Sequence, residues 1–265
     1  MEALTNLFAE ERRTAIMQML KIDSKIIVSD LANKFHTSSA TIRNDLKELE
    51  SQGLLTRTHG GAIMNSGVKF ELTSSAKIRT MMNEKKMLAQ YAASMISDGE
   101  TIVLDTGSTM LYLSESLADK KNLTIVTNDI EIASHLEKHT SSNILLAGGS
   151  LRKGFHCTLG QMTLDNLSGL NVDKAFIATN GINTGNGLTT PDMNQAAVKK
   201  AMMDMADEVI VVTTSNKLSH SAFVSFASIS EIDHLVIDEP KSQSNILQEI
   251  ANLGVKVHIV PASGN

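Results

Sequence analysis

Arg43 and Lys47 lie one helical turn apart in the segment SSATIRNDLKELESQ (residues 38–52), with Ala40 and Asn44 beside them. A guanidinium, an ammonium, a carboxamide and a small residue on one stripe form a donor set suited to base edges and phosphates in a major groove. Ile42, Leu46 and Leu49 fall on another face by the i, i+4, i+7 rule, so the helix has a side to bury and a stripe left over. Asp45 and Glu48 sit away from the Arg43 stripe. Ser38 or Ser39 suits the helix start, where a hydroxyl caps an amide and can meet a phosphate. Thr41 belongs to the same polar first turn. Arg57 and His59, with Gly60 and Gly61, read as a hairpin tip within reach of an adjacent groove or backbone. Arg/Lys stripes also occur on ordinary solvated helices, so the elements around this one must decide.

A second set of residues suits an anion and its hydroxyls. Leu104-Asp105-Thr106-Gly107-Ser108-Thr109 follows an apolar run and opens a helical pattern. Gly107 lets the backbone approach a ligand, Ser108 and Thr109 offer hydroxyls, and the helix start offers free amides. Strand–Gly–Ser/Thr–helix turns also act as plain caps, and the glycine count and lysine of a Walker loop are missing. Thr127-Asn128, Ala147-Gly148-Gly149 and Asn180-Gly181 close three further apolar runs. In an open α/β sheet, ligands gather beyond the carboxyl ends of the strands. Lys199 and Lys217 are either charge for a phosphate or solvated surface residues.

Other chemistries find less support. There are no paired catalytic carboxylates, no HExxH and no GxSxG. Asp105 suits an isomerase base or a ligand for sugar hydroxyls. The histidines show no metal spacing beyond His135 and His139, without a third ligand. The single cysteine, Cys157, excludes an internal disulfide framework and a cysteine-based zinc site. No metal and no cofactor are expected.

The elements that must position these residues follow two textures. Residues 7–20 and 28–35 have helical spacing, His36-Thr37-Ser38 is turn-like, and residues 39–52 form the third helix with Gly53 at its end. Leu54–His59 reads as a strand, Gly60-Gly61 as the turn, and Ala62-Ile63-Met64 as the return. Periodicity is lost over residues 65–75, and a long helix is expected over 77–96. Beyond it, seven Val/Ile-rich runs recur: TIVLD (101–105), LTIVT (123–127), NILLA (143–147), KAFIA (174–178), EVIVV (208–212), HLVID (234–238) and VKVHIV (255–260). Helical patterns fill most gaps, near 108–119, 129–139, 192–207 and 243–253. Alternation of this kind implies a mainly parallel sheet covered on both faces. The expected organisation is a DNA-binding domain (1–64), a linker (65–76) and an α/β effector and oligomerisation domain (77–265).

The chain of 265 residues carries a net charge of −5, and its first 63 residues balance eight Lys/Arg against eight Asp/Glu. A DNA-binding role therefore rests on where the charges sit, not on their sum. No run reaches the roughly 20 apolar residues of a membrane span. The start lacks a signal-peptide layout, and cytoplasm is the expected compartment.

The segments ERRTAIMQML (11–20) and VSDLANKFHTSSATIRNDLKELESQGLLTRTHGGA (28–62) closely resemble the N-terminal signature of the DeoR family of bacterial regulators. VLDTGST (103–109), LTIVTN (123–128), LAGG (146–149), DKAFIATNGI (173–182) and GLTTPDMNQAAVKKAMM (187–203) resemble the family's effector domain. The resemblance implies an α/β chain. A winged helix-turn-helix comes first, then a mainly parallel-sheet domain similar to ribose-5-phosphate isomerase. It implies operator DNA as one partner and a phosphorylated sugar or polyol as the other. Carried over, Asp105, Thr106, Gly107, Ser108, Thr109, Thr127, Asn128, Gly148, Gly149, Asn180, Lys199 and Lys217 become effector-site candidates. Three departures stand out. Thr37 occupies a position that is usually Val. Asn44 stands where a second Arg is usual, which removes a phosphate or guanine contact. Thr213-Thr214-Ser215-Asn216-Lys217 stands where many relatives read Ala-Asp-x-Ser-Lys, so Thr214 replaces the acid and Asn216 the serine.

The reading is a ligand-controlled repressor of carbohydrate genes rather than an enzyme. A sugar-phosphate isomerase with an accessory N-terminus, and a constitutive DNA-binding scaffold, are the alternatives. One short helix on a formally neutral domain makes few contacts, so two half-sites and a homo-oligomer, dimer or tetramer, are expected.

Overall fold

The computed structural model describes residues 7–23, 25–64, 68, 69, 71–240 and 245–261. Part of the expected linker, residues 65–67 and 70, lies outside the described residues, as do residues 243 and 244 of the last expected helix. The chain divides into two compact units, Met1–Ala76 and Lys77–Asn265.

The first unit runs α1 (Ala9–Asp23), β1 (Lys25–Ile27), α2 (Val28–Lys34), α3 (Ser39–Ser51), β2 (Leu55–Thr58) and β3 (Gly61–Met64). Ile16, Leu20, Leu31, Phe35, Ile42, Leu46, Leu49 and Leu55 are buried together, so each helix turns its apolar stripe inward. Ser38 caps α3 by accepting the Thr41 amide at 3.1 Å. Gly53, at φ +72, ends it in the left-handed conformation that glycine favours. The strands form an antiparallel sheet in the order β1-β3-β2. Strand β1 was not expected from its sequence, because three residues carry no period of their own. It exists because it pairs with β3, Ile26 opposite Ala62.

The wing corrects the sequence reading in two ways. The strand is shorter than Leu54–His59, and the turn is His59-Gly60, with Gly61 already in β3. The two glycines answer different needs. Gly60 takes φ +89 with open space around it. A Cβ on Gly61 would lie 2.1 Å from the Ile26 carbonyl oxygen, backbone that cannot swing away. Gly61→Ala is therefore expected to cost the first unit about 1–3 kcal/mol through overpacking. Gly60→Asn should cost less than about 1 kcal/mol, since Asn tolerates the left-handed region. Urea unfolding that ranks the two the other way would sink this account.

The second unit begins with two helices where one was expected over 77–96. They are α4 (Ser74–Ile78), which spans the division between the units, and α5 (Met82–Ser94). The break lies at Met81, with φ 50. The Lys85 ammonium donates to the carbonyls of Lys77 and Thr80, the latter at 2.7 Å. A side chain thus satisfies the end of α4 where another helical turn would have done so.

All seven Val/Ile-rich runs form one sheet, and every pairing in it is parallel. In chain order they are β4 (Thr101–Leu104), β5 (Thr124–Thr127), β6 (Asn143–Leu146), β9 (Val172–Ile177), β12 (Ala206–Thr213), β14 (His234–Asp238) and β15 (Lys256–Val260). Their spatial order is β15-β14-β12-β9-β4-β5-β6. Successive residues point to opposite faces. Ile102, Leu104, Ile125, Phe176, Ile210 and Val212 pack under α5, α6 (Ser108–Glu115) and α7 (Ile130–His139). Val103, Val126, Ala175, Ile177 and Val211 pack under α8 (Gln161–Leu167), α9 (Met193–Asp204) and α10 (Ile246–Asn252).

The gaps hold more strand than expected. A short antiparallel pair, β7 (Ser150–Arg152) and β8 (Cys157–Leu159), precedes α8. A small antiparallel sheet joins β10 (Gly181–Asn183), β11 (Gly187–Thr190) and β13 (Val224–Ala227). Each is too short to show periodicity and is held by its partner. From β4 the chain builds outward through β5 and β6, then crosses to β9 on the other side of β4. The carboxyl ends of β4 and β9 therefore flank the point where winding reverses, the customary crevice of an open α/β sheet. No helix among the described residues is long and apolar enough to cross a membrane.

Candidate functional sites

On α3, Ala40, Arg43, Asn44 and Lys47 are all exposed, while Ile42, Asp45, Leu46 and Leu49 are buried. Asp45 is no surface acid. It accepts from Arg12 Nε at 2.6 Å and Nη2 at 3.2 Å, both side chains largely out of solvent. This pair removes one negative charge from the neighbourhood of the stripe and fastens α1 to α3. Glu48 is exposed and accepts from Gln52 at 2.9 Å. Ser38 is spent partly on its own helix, bonding Thr41 through amide and hydroxyl. Ser39 opens α3 half-exposed.

Arg57 is not at the hairpin tip. It lies within β2, where Glu50 accepts both its amide (2.9 Å) and its Nε (2.6 Å). These two donations hold the Glu50 carboxyl below the usual range. Part of the Arg57 donor capacity is therefore spent on holding the wing to α3. His59 and Gly60 form the exposed tip, whereas Gly61 is buried in β3.

In the second unit, the register aligns Leu104 with Thr127 and with Phe176, and Thr127 with Leu146. The loops after β4, β5, β6 and β9 thus lie side by side. Asp105 and Lys199 form an ion pair at 1% and 2% side-chain exposure. Asp105 Oδ2 also accepts the Ala178 amide (2.9 Å), and Lys199 donates to the Ala178 carbonyl (2.9 Å). One carboxylate and one ammonium thereby tie β4, the end of β9 and α9 together. The other oxygen, Asp105 Oδ1, is buried with no partner, and so is Asn128 Oδ1. The Asn128 orientation is fixed, because its Nδ2 donates at 2.8 Å to the Thr158 carbonyl, which can only accept.

Ser108 and Thr109 are buried at the start of α6, after Gly107 at φ +124. Thr106 donates to Asp129 at 2.6 Å, and the Gly107 amide also bonds that carboxylate. Burial pushes the Asp129 carboxyl up; the hydroxyl and the amides of Ile132, Glu131 and Gly107 oppose it. Thr127 Oγ1 accepts the Asp129 amide. Gly148 gives its carbonyl to Asn166 at 3.3 Å. A Cβ on Gly149 would meet Thr163 Oγ1 at 2.1 Å, so packing against α8 already accounts for that glycine. Asn180 Oδ1 accepts from Thr190 at 3.1 Å.

Several residues here escaped the sequence reading. Arg152, on β7, donates to the buried Gln195 of α9 (3.0 Å) and sits 3.8 Å from Asp192, which caps that helix. Burial, together with the nearby charges of Lys217 and Lys77, lowers the Lys85 pKa to about 8. The charges of Lys77 and Lys217 thus both act on Lys85. Only the Asp192 cap carried a sequence signal. The others depend on contacts between distant parts of the chain. The departures at 214 and 216 satisfy each other, Thr214 donating to Asn216 at 2.6 Å, while Asp238 binds Ser215. Among the described residues no group of three or more His, Cys, Asp or Glu could hold a metal ion.

The sequence matches known families in both units. Residues 12–68 match the DeoR-like helix-turn-helix domain, and residues 80–239 the DeoR C terminal sensor domain. The HTH-type transcriptional repressor GlcR of Bacillus subtilis (strain 168) is 32% identical over 238 residues, covering 90% of this chain and 92% of that protein. The glycerol-3-phosphate regulon repressor of Escherichia coli (strain K12) is 30% identical over 249 residues, covering 94% and 98%. A D-ribose-5-phosphate isomerase in complex with phospho-erythronic acid aligns over 51% of this chain and 52% of that one, at 20% identity and a TM-score of 0.38. At that level the architecture of the second unit rests on its own strand order. A DNA-binding helix-turn-helix unit is followed by a sensor unit across nearly the whole length of such relatives, and the chain belongs to the DeoR family of transcriptional regulators.

Proposed function

We propose that this regulator represses carbohydrate genes in the cytoplasm as a homo-oligomer, a dimer or tetramer. We further propose that it leaves its operator when a phosphorylated sugar or polyol fills the strand-end site. The observation that carries this reading is the pair of buried, unpartnered acceptors, Asp105 Oδ1 and Asn128 Oδ1. Buried acceptors left unmatched are costly, so they call for a ligand that brings hydrogen-bond donors. Hydroxyls on a carbon chain supply donors; a fully ionised phosphate does not. We place the phosphate at Ser108 and Thr109, at the start of α6, and near Lys217, Lys85 and Lys77, where an anion offsets the like charge that lowers the Lys85 pKa. A glycerol-3-phosphate regulon repressor among the relatives is in keeping with such a ligand.

The test uses operator DNA from the protein's own promoter and a panel of glucose 6-phosphate, fructose 6-phosphate, glycerol 3-phosphate, glucose and inorganic phosphate. A phosphorylated polyol should release the DNA, and glucose and phosphate alone should not. Asn128→Ala should weaken binding of that compound about tenfold, the scale of one buried hydrogen bond. Release by none of the panel, or unchanged binding to the variant, defeats the reading.

The Lys85 ammonium adds a check on proton uptake. Its folded pKa lies below its ordinary 10.5. Between about 8 and 10.5 the unfolded chain therefore holds a proton that the folded chain has lost, and this group's contribution to stability rises with pH across that window. An anion bound beside it raises its pKa again. At pH 8.5 binding should take up a substantial fraction of a proton, seen as a calorimetric heat that depends on buffer ionisation. A heat independent of buffer at that pH places the anion elsewhere.

A further inference from the structure

Phe155 sits on the turn between β7 and β8, with two cations near its ring. The Arg152 guanidinium stacks 3.6 Å from its ring centroid, and the Lys77 ammonium lies 5.6 Å from it. The turn that presents the ring is itself anchored. The Phe155 amide donates to the Arg152 carbonyl at 3.1 Å, and Gly154 takes φ +82. The His156 carbonyl accepts from Ile130, and its ring bonds Glu131 at 2.6 Å. The Phe155 carbonyl lies 3.5 Å from Thr106 Oγ1, in the turn that opens α6.

The two cations lead to different places. Arg152 reaches the start of α9 through Gln195, which also lies 3.4 Å from Thr190. Lys77 belongs to α4, the helix that runs across the division between the two units. We propose that Phe155 couples the strand-end site to α4: its ring, shared between Arg152 and Lys77, passes occupancy of that site to the helix joining sensor and DNA-binding units. The inference rests on the effector reading above. A phosphate held beside Lys77 competes with the Phe155 ring for that ammonium and leaves the ring to the Arg152 guanidinium. A ligand shifts an equilibrium only through a differential contact in its two states, and this contact is one that α4 itself makes.

Leucine at this position keeps apolar packing and loses the π face; tryptophan keeps the face. In the full-length protein without any ligand, hydrogen exchange over residues 74–80 should become about three- to tenfold faster in Phe155→Leu and return toward wild type in Phe155→Trp. With whichever panel sugar phosphate binds the wild type, Phe155→Leu should bind it within about threefold of wild type. Its effect on operator affinity, ordinarily about 5–150-fold for coupled sites, should shrink to within about twofold. Unchanged exchange in α4 overturns the proposal, and so does a leucine variant that still releases DNA as the wild type does. Loss of sugar-phosphate binding in that variant also overturns it, because Phe155 would then be a wall of the site. If exchange responds as expected but no sugar phosphate binds the wild type, the contact to α4 stands and the effector reading alone fails.

Discussion

Lys199→Met is expected to lower the stability of the second unit by about 3–5 kcal/mol, the cost of leaving one partner of a buried pair uncompensated. Methionine fills nearly the same volume, so the loss comes from the Asp105 carboxylate, which stays buried with only the Ala178 amide to answer it. The double variant Lys199→Met/Asp105→Asn should recover most of the loss, since no naked charge then remains and the amide oxygen can still accept from Ala178. Restored stability should come without restored sensing, because the hydroxyl acceptor has changed. Urea unfolding followed by a probe in the second unit measures both variants. A single-variant loss under about 1 kcal/mol, or no recovery in the double, would show that the pair is not what binds β4, β9 and α9 together.

The second large effect is on DNA. Arg43 is exposed and forms no ion pair among the described residues, so its guanidinium is available for a bidentate contact. Arg43→Ala should weaken operator binding by about 1–3 kcal/mol for each half-site. Lys47→Ala should act almost equally on all sequences and flatten the salt dependence by about one unit of slope for each half-site. Arg57→Ala should weaken binding less than Arg43→Ala, because Arg57 already spends its amide and Nε on Glu50. An operator titration in which Arg57→Ala is the more damaging would move the DNA contact from α3 to the wing.

The comparison of Arg43 with Arg57 shows where reading the chain succeeds and where it stops. Both are exposed arginines of the first unit, but only Arg43 lies in a local pattern that fixes its direction. Arg43 is legible because its neighbours at 42, 46 and 49 must be buried, which turns it outward. The state of Arg57 depends on Glu50, seven residues away on another element. Asp45 makes the same point over a longer span: the wheel puts it off the stripe, and only Arg12, 33 residues earlier, explains why it is buried.

The sequence by itself determined the local matters: the periods of the three helices, a serine cap at 38 or 39, a glycine turn at 60–61 and the seven apolar runs of a parallel sheet. Each of these is decided by neighbours within a few residues. Tertiary structure decided the rest. Strand β1 and the small β10-β11-β13 sheet exist only through pairing, and the Gly61 requirement only through the Ile26 carbonyl. The break before α5 depends on where Lys85 reaches. The Asp105–Lys199 pair joins residues 94 apart, and the lowered Lys85 pKa comes from burial and from two other lysines. Burial, close approach and electrostatic neighbourhood are properties of the folded chain, and they come into being only when distant segments meet.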